Sequence, residues 1–122
     1  MAGASQSYHE DKLTDHTRDL HRALVSLQEE LEAIDWYQQR VEAASDPELA
    51  EILKHNRDEE KEHAAMVLEW IRRHDAKFDA VLREYLFKSG SIVGQEAATM
   101  GRNGQTGEAG PGTTVGSLRR TT

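Results

Sequence analysis

The sequence predicts an all-α protein, built as an antiparallel hairpin of two long helices followed by a short third helix. Two long stretches carry their inward-facing residues at alternating steps of three and four, which is the spacing of one buried helix face. Between them, residues 45–48 read Ser-Asp-Pro-Glu, which is typical of a turn that leads into a helix. Because this connection is short, we expect the two helices to lie side by side in opposite directions.

The ends of the helices are predicted from capping patterns. Residues 7–10 fit a capping box, so the first helix is expected to begin there and to end before Ser45. The second helix should run from about Pro47 to Arg73 and the third from Ala76 to Phe87. The predicted inner face of the first helix comprises Leu20, Ala23, Leu27, Glu30, Ile34, Tyr37, Val41 and Ala44. That of the second helix comprises Leu49, Leu53, Asn56, Glu60, His63, Val67 and Trp70, and that of the third Phe78, Val81, Leu82 and Tyr85.

Composition restricts the function classes. The chain of 122 residues has no cysteine, which excludes disulfides and thiolate chemistry, and its net charge of −7 argues against a general nucleic-acid binder. No apolar run approaches the roughly 20 residues that span a bilayer, and the N-terminus lacks the apolar core of a signal peptide, so no membrane partner is expected. The simplest expectation is a cytoplasmic protein that handles cations.

Charge and glycine content change near Lys88 and predict the domain organisation. Residues 1–87 carry 11 basic and 20 acidic residues, whereas the rest of the chain is slightly basic and holds eight of the nine glycines. We therefore expect a disordered N-terminus over residues 1–6, a helical domain over residues 7–87, a flexible linker over residues 88–113 and a short terminal segment over residues 114–122.

Two of the predicted inner faces contain ionisable residues where apolar ones are expected. In the second helix these are Glu60 and His63, three residues apart and therefore on one face; in the first helix it is Glu30, with the phenol of Tyr37 one heptad later. Burying such groups is costly without a partner, and a metal cation is one of the few partners that removes the cost. The three residues are therefore candidate metal ligands.

One glutamate and one Glu-x-x-His pair are half of a known arrangement. Di-iron carboxylate bundles use a glutamate from each of two helices and a Glu-x-x-His pair from each of two others. This chain has two long helices and one copy of each element, so it can complete such a site by pairing with a second copy of itself. The sequence thus predicts a two-fold dimer that forms a four-helix bundle around two iron ions.

Two segments resemble the encapsulated ferritins. They are EELEAIDWY from Glu29 to Tyr37 and HNRDEEKEHAA from His55 to Ala65, which match that family in order and spacing. The resemblance implies a ferritin-like four-helix bundle, dimers that assemble into a ring-shaped decamer, and Glu30, Glu60 and His63 as the iron ligands. It also implies that Tyr37 lies beside the iron pair, and that Glu29, Glu32 and Trp36 form a metal-attracting site through which iron arrives.

The end of the chain supports the same interpretation. The segment TVGSLRR from Thr114 to Arg120 resembles the C-terminal targeting peptides that load cargo into encapsulin shells. The resemblance implies a ferroxidase that oxidises Fe(II) with oxygen and feeds iron storage inside an encapsulin nanocompartment of a bacterial or archaeal cytoplasm. Two alternatives remain open from the residues alone: a metal-buffering protein with the same ligands and no redox turnover, and a structural cargo adaptor.

Overall fold

The computed structural model describes residues 7–98, and this part of the chain is all-helical. The helices are α1 (Asp15–Ala43), α2 (Pro47–His74) and α3 (Ala76–Tyr85), and residues 92–98 are helical as well. These four helices, with no strand among the described residues, confirm the predicted fold class. The expected disordered N-terminus (residues 1–6) and terminal segment (residues 114–122) lie outside the described residues.

The start of α1 differs from the prediction. The helix begins at Asp15, not at the capping box of residues 7–10, and its N-cap is Thr14, whose hydroxyl accepts a hydrogen bond of 3.1 Å from the backbone N–H of Thr17. Residues 7–12 are exposed. A helix there would bury no apolar face, and a capping box alone does not offset the entropy of ordering the backbone.

The turn between α1 and α2 follows the prediction. The carboxylate of Asp46 accepts a hydrogen bond of 2.8 Å from the backbone N–H of Leu49, and Pro47 occupies the first helical position, where a missing N–H costs nothing. At the end of α1, Ala44 adopts an extended conformation and its N–H bonds the carbonyl of Arg40. With only residues 44–46 between the helices, α1 and α2 are antiparallel neighbours.

The chain forms two compact units, and the first, Met1–Ile71, contains the hairpin of α1 with nearly all of α2. Every residue of the predicted inner face of α1 is half-buried, and so are those of α2 except Leu49, which is exposed. No residue of α1 is fully buried, and in α2 full burial is confined to Ala64 and Ile71. A single hairpin therefore shields its inner face only in part.

The second unit, Arg72–Thr122, contains α3. Asp75 caps this helix by accepting a hydrogen bond of 2.8 Å from the backbone N–H of Phe78. The four residues of its predicted apolar side are half-buried, as expected. The helix ends at Tyr85 rather than Phe87, because Leu86 is extended and Phe87 is left-handed with φ of 61°, and neither conformation continues a right-handed helix.

The predicted linker begins with ordered structure. Residues 92–98 are helical and Glu96 is buried, although composition places this stretch in the flexible range of residues 88–113. Glycine content does not distinguish a short helix from a linker, because tertiary contacts override local propensity. Residues 99–113 of that range lie outside the described residues.

Candidate metal centre

Three ionisable side chains from the two helices of the hairpin meet in one group. Glu30 comes from α1, and Glu60 and His63 come from successive turns of α2. One ligand atom from each residue lies within 4.8 Å of the others, and within residues 7–98 this is the one group of three or more acidic, histidine or cysteine residues with such spacing. The half-buried inner faces of α1 and α2 thus bring the predicted ligands together.

The imidazole lies within 4 Å of both carboxylates. The Nδ1 atom of His63 is 3.7 Å from Oε1 of Glu30 and 3.5 Å from Oε1 of Glu60. These separations are longer than direct hydrogen bonds. When metal–ligand distances are near 2 Å, the ligand atoms of one ion lie about 3 Å apart, so the three side chains would have to move closer together by about 1 Å to bind the same ion.

Glu30 shows the electrostatic character of the group. A hydrogen bond with the carboxyl of Glu60 raises the pKa of Glu30 above its ordinary value. Burial and the negative charge of Glu60 also raise this pKa, whereas His63 lowers it. Two carboxylates held together repel each other unless a proton or a cation lies between them. The metal-free arrangement therefore favours cation binding.

The donor set suits iron and leaves coordination positions open. Carboxylate oxygens and an imidazole nitrogen are ligands that iron accepts. The side chains of Glu30 and Glu60 are each 24% exposed and that of His63 is 45% exposed, so the group opens to the surface of the hairpin. Three protein ligands on an open face leave coordination positions for oxygen, water or residues of another chain.

The other residues that the resemblance places in the site lie nearby on α1, outside the group of three. Tyr37 is two turns beyond Glu30, or about 10 Å along the helix axis. The guanidinium of Arg40 lies 5.3 Å from the ring centre of Tyr37 and 5.8 Å from that of the exposed Trp36. Glu29 is exposed and Glu32 is half-buried. Their roles beside the iron pair and in metal attraction stay predictions.

A contact that the sequence analysis missed links α1 to α2 about one helical turn before Glu60. The Nη1 atom of Arg57 in α2 donates a hydrogen bond of 2.8 Å to Oε1 of Gln38 in α1. The Nε and Nη2 atoms of Arg57 donate to the carboxylate of Asp58 at 3.0 and 2.9 Å. The only signal in the sequence is a basic residue beside the inner face of α2, and such residues are usually solvated.

An all-helical fold with a carboxylate–histidine group between its long helices defines a ferritin-like protein. Residues 5–89, well over half of the chain, match the EncFtn-like family. The chain belongs to the EncFtn-like family, and the resemblance noted from the sequence is confirmed.

Similar proteins carry related names. The chain is 57% identical over 117 residues to an encapsulated ferritin-like protein of Rhodospirillum rubrum, covering 94% of this chain and 84% of the relative. It is 50% identical to a ferritin-like protein of Thermotoga maritima, covering 84% and 92%. It is 36% identical to the encapsulin nanocompartment cargo protein EncC of Myxococcus xanthus, covering 89% and 90%.

A solved structure shows the same fold. The crystal structure of protein ne0167 from Nitrosomonas europaea is 61% identical in sequence and superposes with a TM-score of 0.68, covering 70% of this chain and 97% of that one. Among the described helices, none is both long and apolar enough to cross a membrane.

Proposed function

We propose that this protein is a ferroxidase that oxidises Fe(II) to Fe(III) with oxygen at a di-iron site formed across a dimer. The observation that carries the proposal is the open group of Glu30, Glu60 and His63, whose ligand atoms lie within 4.8 Å of one another. Membership of the EncFtn-like family and the names of its relatives support iron as the metal.

The dimer follows from the number of ligands. Each chain supplies two carboxylates and one imidazole, half of the set that di-iron bundles use. A two-fold axis beside the half-exposed His63 would bring a second identical set to the first, giving two irons per dimer. The partly shielded inner face of the hairpin would be covered by the same contact, because an apolar face open to water favours association.

The chain's own residues have definable roles in this reaction. The carboxylates of Glu30 and Glu60 hold Fe(II) and favour the oxidised state, because negative ligands bind Fe(III) more strongly than Fe(II). A ring nitrogen of His63 completes the set. Two irons held together each release one electron, so one oxygen molecule can accept two electrons from a single site, which one Fe(II) cannot provide.

The cellular setting is proposed from the relatives and from the end of the chain. One relative is named as an encapsulin cargo protein and another as an encapsulated ferritin-like protein. We infer that residues 114–122 dock this protein inside an encapsulin shell in the cytoplasm of a bacterium or archaeon. We also infer that dimers assemble into a ring-shaped decamer and that the shell stores the ferric product.

Oxygen uptake after addition of Fe(II) to the metal-free protein tests the activity. Glu60→Ala and His63→Ala should each abolish rapid uptake, since each removes a ligand, while far-UV circular dichroism shows unchanged helix content. Glu62→Ala is the matched control, because Glu62 is exposed on the same helix and lies outside the group of three. A metal-buffering protein would bind Fe(II) without consuming oxygen, and wild-type protein that behaves so would refute the ferroxidase.

A further inference from the structure

The bond between Arg57 and Gln38 is a directional link between α1 and α2. Although the side chain of Arg57 ends in a charged group, it is only 15% exposed. Its guanidinium is held in place by three hydrogen bonds, one to Gln38 and two to Asp58. Gln38 is fixed in turn, because its amide nitrogen donates a hydrogen bond of 2.8 Å to the carboxylate of Glu42 on the same helix. We call the pair Gln38–Arg57 the clasp.

The clasp and the metal group lie along the same pair of antiparallel helices. Gln38 follows Glu30 by eight residues in α1, or about 12 Å, and Arg57 precedes Glu60 by three residues in α2. The clasp therefore lies toward the turn of the hairpin, and the metal group lies farther from it. A shift of one helix along the other would change both contacts together.

The metal group needs such a link. Burial of Leu, Ile and Val side chains stabilises the hairpin but is non-directional, and it tolerates small shifts of one helix along its neighbour. A hydrogen bond of 2.8 Å is lost when its atoms move by about 1 Å. Glu30 lies on α1 whereas Glu60 and His63 lie on α2, so the distance between these ligands depends on the register of the two helices.

We propose that Arg57 and Gln38 are positioning residues that hold α1 and α2 in the register that brings Glu30 to Glu60 and His63. The inference rests on the proposed metal site, and it assigns these residues no contact with the metal. Outer partners of metal ligands commonly change affinity by about 10–100-fold when they are removed. The clasp acts through the helices rather than through a bond to a ligand, so we expect an effect at the lower end.

Cobalt(II) is a suitable probe because it accepts the same oxygen and nitrogen ligands and its visible absorption reports the coordination around it. Titration of the full-length, metal-free protein measures affinity independently of iron oxidation. Arg57→Met and Gln38→Leu remove the clasp and keep the side-chain volume, and Gln38→Glu keeps an acceptor for Arg57. Arg18→Met is the matched control, because Arg18 pairs with Asp15 within α1 and, within residues 7–98, is not bonded to a second helix.

Arg57→Met and Gln38→Leu should each weaken Co(II) binding about tenfold and change the visible spectrum. The double variant should lose no more than either single one, because both remove the same contact. Gln38→Glu and Arg18→Met should resemble the wild type in affinity and spectrum. If Arg57→Met fails to fold, the comparison of Gln38→Leu with Gln38→Glu decides the question.

Wild-type affinity and spectrum in both clasp-removing variants would overturn the proposal, and so would losses that simply add in the double variant. Oxygen uptake by the wild type with Fe(II) is measured in parallel. Its absence would refute the ferroxidase, whereas the Co(II) spectra report the clasp in either case.

Discussion

The sharing of one iron site between two chains can be tested by mixing active and inactive subunits. A variant in which Glu30, Glu60 and His63 are all changed to Ala is unfolded with the wild type and refolded at different ratios. One chain brings three ligands within 4.8 Å, enough to hold one iron well at most. A mixed dimer would therefore lack the second iron and could not deliver two electrons at once.

The expected magnitude follows from random pairing. If both chains must contribute ligands, activity falls as the square of the wild-type fraction, so an equal mixture should keep about one quarter of the activity. A complete site within each chain would leave about one half. The difference is easily resolved by oxygen uptake on addition of Fe(II), measured at five or so mixing ratios.

The experiment needs a control that measures how wild-type and variant chains pair into dimers. Removing two carboxylates relieves repulsion at the site, which could make the variant pair more tightly with itself. Native mass spectrometry of the same mixtures measures the three kinds of dimer directly. With random pairing established, a straight line from full activity to zero would refute the shared site.

Three further predictions concern the tail, the acid stability of the second unit and the metal-free site. Deleting residues 114–122 should leave oxygen uptake unchanged but prevent co-purification with a co-expressed encapsulin shell; normal loading of the truncated protein would exclude this segment as the address. Hydrogen bonds from Arg72 and Arg83 hold the pKa of Asp79 below its usual range. The ionised carboxylate therefore stabilises the fold at any pH above the unfolded-state pKa of Asp79. This stabilisation is lost as the pH falls through the folded-state pKa. Asp79→Asn should therefore lower the free energy of unfolding at pH 7 by about 1 kcal/mol, as measured by urea denaturation. The difference from wild type should vanish in acid. A difference that persists in acid would contradict this explanation. The folded-state pKa of Glu30 is raised, so the protonated carboxyl stabilises the fold at low pH, and this stabilisation is lost as the pH rises through the folded-state pKa. Glu30→Gln should therefore raise the melting temperature of the metal-free protein at pH 7 while abolishing iron oxidation. A lower melting temperature would count against carboxylate repulsion.

The fold and the metal group were predictable because each depends on a repeated pattern. Steps of three and four residues put Glu30 on one helix face and Glu60 with His63 on another, and the short turn at Pro47 made the helices antiparallel. Geometry alone then requires the two faces to meet. A polar residue within an otherwise apolar face is a strong signal, because burial without a partner is costly.

The helix ends and the clasp were not predictable in the same way. The box at residues 7–10 and the cap at Thr14 are both plausible starts for α1, and the choice depends on which residues find apolar surface to contact. The clasp depends on the direction of one long, flexible side chain, and no sequence periodicity records that Arg57 reaches Gln38. The short helix at residues 92–98 lies where composition predicts a linker, and composition does not record that Glu96 is buried.

The closeness of Glu30 and Glu60 affects which ions the site retains. Any divalent ion that enters relieves the repulsion between the carboxylates, so the relief does not distinguish Fe(II) from its competitors. Sites with oxygen and nitrogen ligands bind Zn(II) more tightly than Fe(II). Zinc cannot give up an electron to oxygen, so a site that holds zinc would consume no oxygen. Zinc would then act as an inhibitor of the proposed reaction, because it competes with Fe(II) for the same three ligands.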